Sequence, residues 1–161
     1  MSVNASFTFH PAPLLDKVSD ARGVTSVWQR WFSETAETLR LLPIILRRLV
    51  LSGQAASIGA TNLVPTAFVT AGDYRVTYYA RISTAASVNS SLTVTLAWTD
   101  GVAQTYSGAA IIGNTTTTYQ TGTLMFRADA SSAITYATTY ASNAAGEMKY
   151  TLDIVLERVR S

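Results

Sequence analysis

The stretch Gly72–Ile82, GDYRVTYYARI, constrains the fold more than any other part of the chain. Tyr74, Val76, Tyr78, Ala80 and Ile82 fall on one side of an extended backbone, and Arg75, Thr77, Tyr79 and Arg81 on the other. Alternation of period two in β-branched and aromatic residues predicts a half-buried strand. The same alternation returns in Ser91–Thr99, with Leu92, Val94, Leu96 and Trp98 on one face. It returns again in Ala133–Tyr140 and in Glu147–Val159, where Met148, Tyr150, Leu152, Ile154 and Leu156 align. Leu124 and Phe126 mark the inward side of Thr115–Ala128, read as one long strand or two. Asp100-Gly101 predicts a type I′ hairpin turn, with both residues at positive φ, and Val102–Ser107 predicts the returning strand. Gln54–Gly59 and Ala60–Val64 read as further strands, joined to the first by a connector over Pro65–Gly72. About eight strands over residues 53–161 predict an antiparallel sandwich or barrel. Its core is expected to contain Tyr74, Val76, Tyr78, Leu92, Leu96, Phe126, Ile154 and Leu156, the inward sets of separate strands.

Ahead of Gly53 the chain changes character. Residues 1–23 have no period and are punctuated by Pro11, Pro13 and Gly23. Each proline pushes the residue before it towards extended conformations, which predicts an extended arm. Its apolar points, Phe7, Phe9, Leu14 and Leu15, cannot be buried by the arm itself. Thr25 or Ser26 can cap a following helix, and Ser26 with Gln29 fits a capping box. Trp28, Trp31, Phe32, Thr35, Leu39 and Leu42 then recur every three or four residues, which draws an apolar stripe along one helical face. Pro43 ends or kinks that helix. Ile44–Leu51, IILRRLVL, fits either a second short helix or a strand, and the paired arginines favour helix. The expected organisation is therefore an arm over 1–23, a helical segment over 24–52 and a β-domain over 53–161. The stripe either packs on the β-domain of its own chain or associates with copies of itself.

Charge and composition narrow the functions. Charged residues make up 14% of the chain and the net charge is +2, too little to point to a nucleic-acid partner. The surplus sits in Arg47-Arg48, read as a solvated pair at a helix end. There is no cysteine, which removes disulfides, thiol catalysis and Cys-ligated zinc. The first residues lack the basic start and apolar core of a secretory signal. Leu39–Leu51 is too short and too charged to span a bilayer, so no membrane insertion is expected. The single histidine, His10, sits beside Pro11 in the arm, without a second ligand or a catalytic partner nearby. Asp73, Asp100, Asp129 and Glu147 fall at strand ends and turns, and Asp153 and Glu157 share one face of a strand. No phosphate-binding loop or metal-ligand spacing occurs. The expectation is a non-enzyme without cofactor or metal. Tyr79, Tyr106, Tyr119 and Tyr140 are candidate ligand-facing aromatics, since exposed rings stack on sugars, though such tyrosines serve equally in cores and interfaces.

Two segments carry a resemblance. PAPLLDKVSDARGVTSVWQRWF resembles the N-terminal anchor of tailed-bacteriophage virion proteins through Pro13, Leu14, Asp16, Gly23, Thr25, Trp28, Trp31 and Phe32. GDYRVTYYARI, WTDGVAQTYSG, TGTLMFRADASSAITYATTYAS and MKYTLDIVLE resemble strands of the jelly-roll domains that end small phage fibre and spike proteins. The layout is also similar to trimeric C1q/TNF-like jelly rolls by architecture. The resemblance implies a mainly β chain: an antiparallel jelly-roll-like β-sandwich behind an extended arm and an α-helical segment. It further implies a homotrimer in the virion, made in the host cytoplasm. Other virion proteins would be met through Phe7, Phe9, Pro11, Pro13, Leu14 and Leu15 of the arm. The oligomer interface would hold Trp28, Trp31, Phe32, Thr35, Leu39 and Leu42, and the jelly roll would face a host-surface glycan or protein. A freestanding carbohydrate-binding, lectin-like module is the alternative, and such a module has no use for a Trp-rich helix or an apolar arm.

Overall fold

The computed structural model describes residue 12 and residues 18–20, 23–40, 42–143 and 146–159. The chain divides into two compact units, Met1–Leu42 and Pro43–Ser161.

In the first unit, β1 (Ser19–Asp20) and β2 (Gly23–Val24) pair antiparallel, Ser19 opposite Val24 and Asp20 opposite Gly23. The described end of the span expected as an extended arm therefore contains a short antiparallel pair. Helix α1 spans Ser26–Arg40. Its first backbone bond runs from the Gln29 N–H to the Thr25 carbonyl at 2.9 Å, so Thr25 holds the cap position and the Ser26–Gln29 box is out of register. Along α1 the exposed Arg30–Glu34 pair closes at 2.7 Å, one turn apart. Phe7, Phe9, His10, Pro11, Pro13, Leu14 and Leu15 lie outside the described residues.

The second unit is a sandwich of two antiparallel sheets. It contains β3 (Ile44–Gln54), β4 (Ile58–Val64), a 3₁₀ turn at Thr66–Phe68, β5 (Gly72–Thr84), β6 (Ser90–Asp100), β7 (Val102–Ser107), β8 (Ile111–Ile112), β9 (Tyr119–Ala128), β10 (Ile134–Ser142) and β11 (Lys149–Arg158). One sheet has the order β3-β11-β5-β9; the other has β4-β10-β6-β7, with the two-residue β8 also paired to β6. The anchor strand is β5, in register with β11 through Tyr78 opposite Ile154 and with β9 through Tyr74 opposite Phe126.

All eight residues expected in the core are buried, most of them completely. They pack with Ile82, Val94, Ile134, Met148, Tyr150 and Leu152 between the sheets. Interleaved inner faces are the stabilising unit of such a sandwich. Tyr150 brings a hydroxyl into this apolar interior. It donates to the Ala56 carbonyl at 2.9 Å and lies 2.7 Å from Thr138 Oγ1, which in turn accepts from the Ile58 N–H at 2.9 Å. Burial pushes the Tyr150 hydroxyl above its usual pKa. Because the Tyr150 and Thr138 hydroxyls are both paired, this network ties β10 and β11 to the chain entering β4 instead of costing stability.

Three local expectations are corrected. Ile44–Leu51 is strand, not helix: it forms most of β3, with Leu51 opposite Leu152, Leu49 opposite Ile154 and Arg48 opposite Val155. A short apolar run has no period that separates helix from strand. The partner strand decides, and Arg47-Arg48 accordingly sits on a sheet edge and not at a helix end. Gln54 closes β3, and residues 55–57 form a bend before β4, so Gln54–Gly59 is not one strand. At the β6–β7 hairpin only Gly101 is at positive φ, +71°, and Asp100 is not, so the turn is not type I′.

The two outer faces differ. Outward from β6 and β10 stand Ser91, Thr93, Thr95, Ala97, Thr135, Ala137, Thr139 and Ala141, all small. The opposite face carries the large and charged side chains: Arg75, Tyr79, Arg81, Tyr119, Met125, Asp153 and Glu157. At its edge β3 exposes Ile44, Ile45, Leu46 and Val50.

Candidate functional site

The loop from Gly108 to Thr118 is where the sandwich departs from a plain surface. After β7 the chain leaves its ladder with β6 and rejoins it for two residues, Ile112 opposite Ser91 and Ile111 opposite Leu92. Backbone bonds then fasten it. Gly108 N–H donates to the Val94 carbonyl at 2.9 Å, Gly113 N–H to Ser90 at 2.7 Å, and Ala86 N–H to Gly113 at 3.0 Å. Thr118 Oγ1 donates back to the Ile112 carbonyl at 2.6 Å. Gly113 is needed there: a Cβ would collide with the Met148 sulfur and come within 2.8 Å of Ser90 Cβ. The loop therefore sits directly on the core.

Ile111 points into that core and is buried, while Ile112 points out and is 62% exposed. Ile112 divides two open grooves. The first, of about 410 Å³, is lined by Asn89, Ser90, Ser91, Asn114, Ser142 and Asn143 together with Ile112 and Ala141. The second, of about 340 Å³, runs between residues 109–112 and 117–120, with Tyr119 and Gln120 in its wall. Asn114 is held at both ends of its amide, accepting from the Ser90 N–H at 3.2 Å and donating to the Val88 carbonyl at 2.5 Å. Ser90 and Ser142 hydroxyls meet at 2.7 Å. No charged side chain lines either groove.

Of the four tyrosines singled out from the sequence, the structure brings Tyr79 and Tyr119 together, with ring centroids 5.8 Å apart and both rings exposed. Arg81 lies opposite Tyr119 in the ladder. Tyr106 and Tyr140 are half-buried against the core instead. The Tyr140 hydroxyl accepts from the Met148 N–H at 3.1 Å. Tyr106 lies beside Tyr78, whose hydroxyl burial pushes well above its usual value. Sequence reasoning missed Asn89, Ile112, Asn114 and Asn143. Their one local signal is the recurrence of asparagine beside serine or threonine in three connecting segments.

The acids take structural places. Glu157 binds Arg75 at 2.6 Å and Asp153 binds Arg48 at 3.6 Å, both across strands on the outer face. Asp129 accepts from the Gly101 N–H at 2.8 Å and from Ser131, which hold its carboxyl below the usual range, the Ser131 hydroxyl most strongly. Ser87 does the same for Glu147. Among the described residues no three His, Cys, Asp or Glu side chains gather as a metal site, and no helix is long and apolar enough to cross a membrane.

Of the residues assigned to an oligomer interface, Trp28, Trp31, Phe32, Thr35 and Leu39 lie along α1, whereas Leu42 lies beyond its last residue, Arg40. Trp28, Trp31 and Phe32 form a three-ring cluster with centroids 5.2 to 5.8 Å apart. Trp28, Trp31 and Thr35 are half-buried; Phe32, Leu39 and Leu42 are exposed. The chain matches no protein-family model, and no curated protein sequence matches it.

Proposed function

We propose that this chain is a structural and adhesive virion protein of the small phage fibre or spike type, assembled as a homotrimer through α1 and one flank of the sandwich. One observation carries the proposal. Phe32 and Leu39 lie exposed on the same helical face as Trp28 and Trp31, at 47% and 55%, and Leu42, 44% exposed, follows just past the end of the helix. A lone amphipathic helix of this length is marginal in water, and copies side by side give its stripe a dry surface. The edge strand β3 supports the sandwich flank, since its outer edge is unpaired and Ile44, Ile45, Leu46 and Val50 are exposed on it. The strand order supports a jelly roll. Leaving the short β8 aside, the first and last long strands, β3 and β11, are neighbours, and successive strands alternate between the sheets except at the β6–β7 hairpin. Closed threefold symmetry limits association to one particle and presents three outward surfaces.

The sequence segment Phe7–Leu15 is the proposed docking arm for other virion proteins. The test is co-purification. Expressed in a phage-infected host that supplies the remaining particle proteins, the chain should band with particles in a density gradient. The quadruple variant Phe7→Ser, Phe9→Ser, Leu14→Ser, Leu15→Ser should stay in the soluble fraction. Wild-type chain found only in the soluble fraction would overturn the virion assignment.

A further inference from the structure

We propose that the two grooves on either side of Ile112 form one binding site for an uncharged oligosaccharide. The inference does not depend on the virion assignment, because both grooves are built within the sandwich.

The lining has the hydrogen-bonding chemistry of a sugar site. A pyranose presents hydroxyls that both donate and accept around its rim, and patches of C–H on its faces. A carboxamide matches adjacent hydroxyls because it offers a donor and an acceptor side by side in one plane. The first groove supplies three carboxamides, Asn89, Asn114 and Asn143. Asn114 is locked by Ser90 and Val88, which fixes one wall. Among the described residues, no hydrogen bond occupies the side chains of Asn89 or Asn143, so their amides stand free at the rim.

An apolar surface complements these amides. Ile112 belongs to both grooves and is exposed between them. Tyr119, 62% exposed, forms the wall of the second groove, and the Tyr79 ring stands 5.8 Å beyond it. A tyrosine face held on a strand stacks on sugar C–H groups at little entropic cost. Hydrogen-bonding amides on one side of an apolar ridge and a ring on the other fit a chain of two or more sugars laid across Ile112. Each groove has the volume of a small-ligand site.

Neither groove contains a cation to meet a carboxylate or sulfate, nor an acid to meet an amine. Arg81, opposite Tyr119 in the ladder, lies outside the lining of both. A neutral ligand is therefore favoured over an acidic one, and the absence of an acid pair makes this a binding site without hydrolysis.

The experiment is an immobilised glycan array probed with the full-length chain, carrying neutral oligosaccharides beside sialylated, uronate-containing and sulfated ones. The expected result is retention on a subset of neutral glycans. Tyr119→Ala and the double variant Asn89→Ala, Asn143→Ala should each weaken binding to the best neutral glycan by roughly tenfold or more, while Arg81→Ala leaves it unchanged. All these positions are exposed, and an unchanged melting curve for each variant separates lost binding from lost folding. Retention of no neutral glycan, retention of acidic glycans alone with loss in Arg81→Ala, or full binding by folded Tyr119→Ala and Asn89→Ala, Asn143→Ala proteins would each overturn the proposal.

Discussion

In the sandwich, β5 hides Tyr74, Val76, Ala80 and Ile82 at 0% exposure, while on α1 Leu39 is 55% exposed in a stripe that is just as apolar. The two regions solve one problem differently. A strand of period two presents a flat apolar face, and the eight longer strands of the sandwich can lay such faces against each other. One helix of 15 residues has no second helix in its own unit among the described residues. The sandwich buries the inner faces of its own strands, while the helix leaves Phe32 and Leu39 exposed, the stripe proposed above to meet a partner surface. Charge follows the same division inside the sandwich. One outer face pairs Arg75 with Glu157 and Arg48 with Asp153, and the other shows threonine, serine and alanine.

The contrast is broken most strongly from the core. Leu96→Ala removes a side chain that is 1% exposed and should cost about 2–5 kcal/mol in urea unfolding. A loss within measurement error would mean the sandwich does not depend on the packing described. Gly113→Ala comes next. Its added methyl meets the Met148 sulfur and Ser90, so overpacking should cost about 1–3 kcal/mol. A neutral effect would show that the loop over Ile112 shifts freely and is not seated on the core.

Asp129 gives a smaller, pH-dependent effect. Its carboxyl is held below the usual range by the Ser131 hydroxyl and by the Gly101 and Ser131 N–H groups. A depressed value in the folded state stabilises above the unfolded carboxyl pKa, and the gain disappears as pH falls through the folded value. Asp129→Asn should therefore melt slightly earlier than wild type near neutral pH and together with it in strong acid. Equal melting at neutral pH would remove Asp129 as a tie between the β6–β7 and β9–β10 turns. The smallest effect on sheet stability is expected from Trp31→Glu with Leu39→Glu. These changes should leave the β-sheet circular dichroism and its unfolding midpoint in place while lowering the particle mass. Coincident loss of both signals would mean that the two units unfold as one.

Much of the sandwich could be read from the sequence, for a physical reason. Alternation is local, so Tyr74 to Ile82 announce both a strand and its inward face without reference to any partner. The β6–β7 hairpin was legible from Asp100-Gly101, although the turn type was not, because Asp100 keeps negative φ. β3 was misread because IILRRLVL has no period that separates strand from helix, and only its pairing with β11, remote in sequence, selects strand. Arg48 could not be matched to Asp153 for the same reason. The grooves were less legible still. Asn89, Ile112, Asn114 and Asn143 come from three separate connections, and nothing in the local pattern of any one of them indicates that they meet. Tyr79 and Tyr119 were visible as exposed rings, yet their adjacency follows from the β5–β9 register.

The proposal that the helix associates with copies of itself while the sandwich buries its own faces is tested most directly by the mass of the intact chain in sedimentation equilibrium, read across a range of concentrations. The account predicts a single species of three times the 17.3 kDa chain mass, falling to one chain mass in the Trp31→Glu, Leu39→Glu protein. A wild-type chain that sediments as a monomer or dimer at every concentration, or a double variant that remains trimeric, would contradict it.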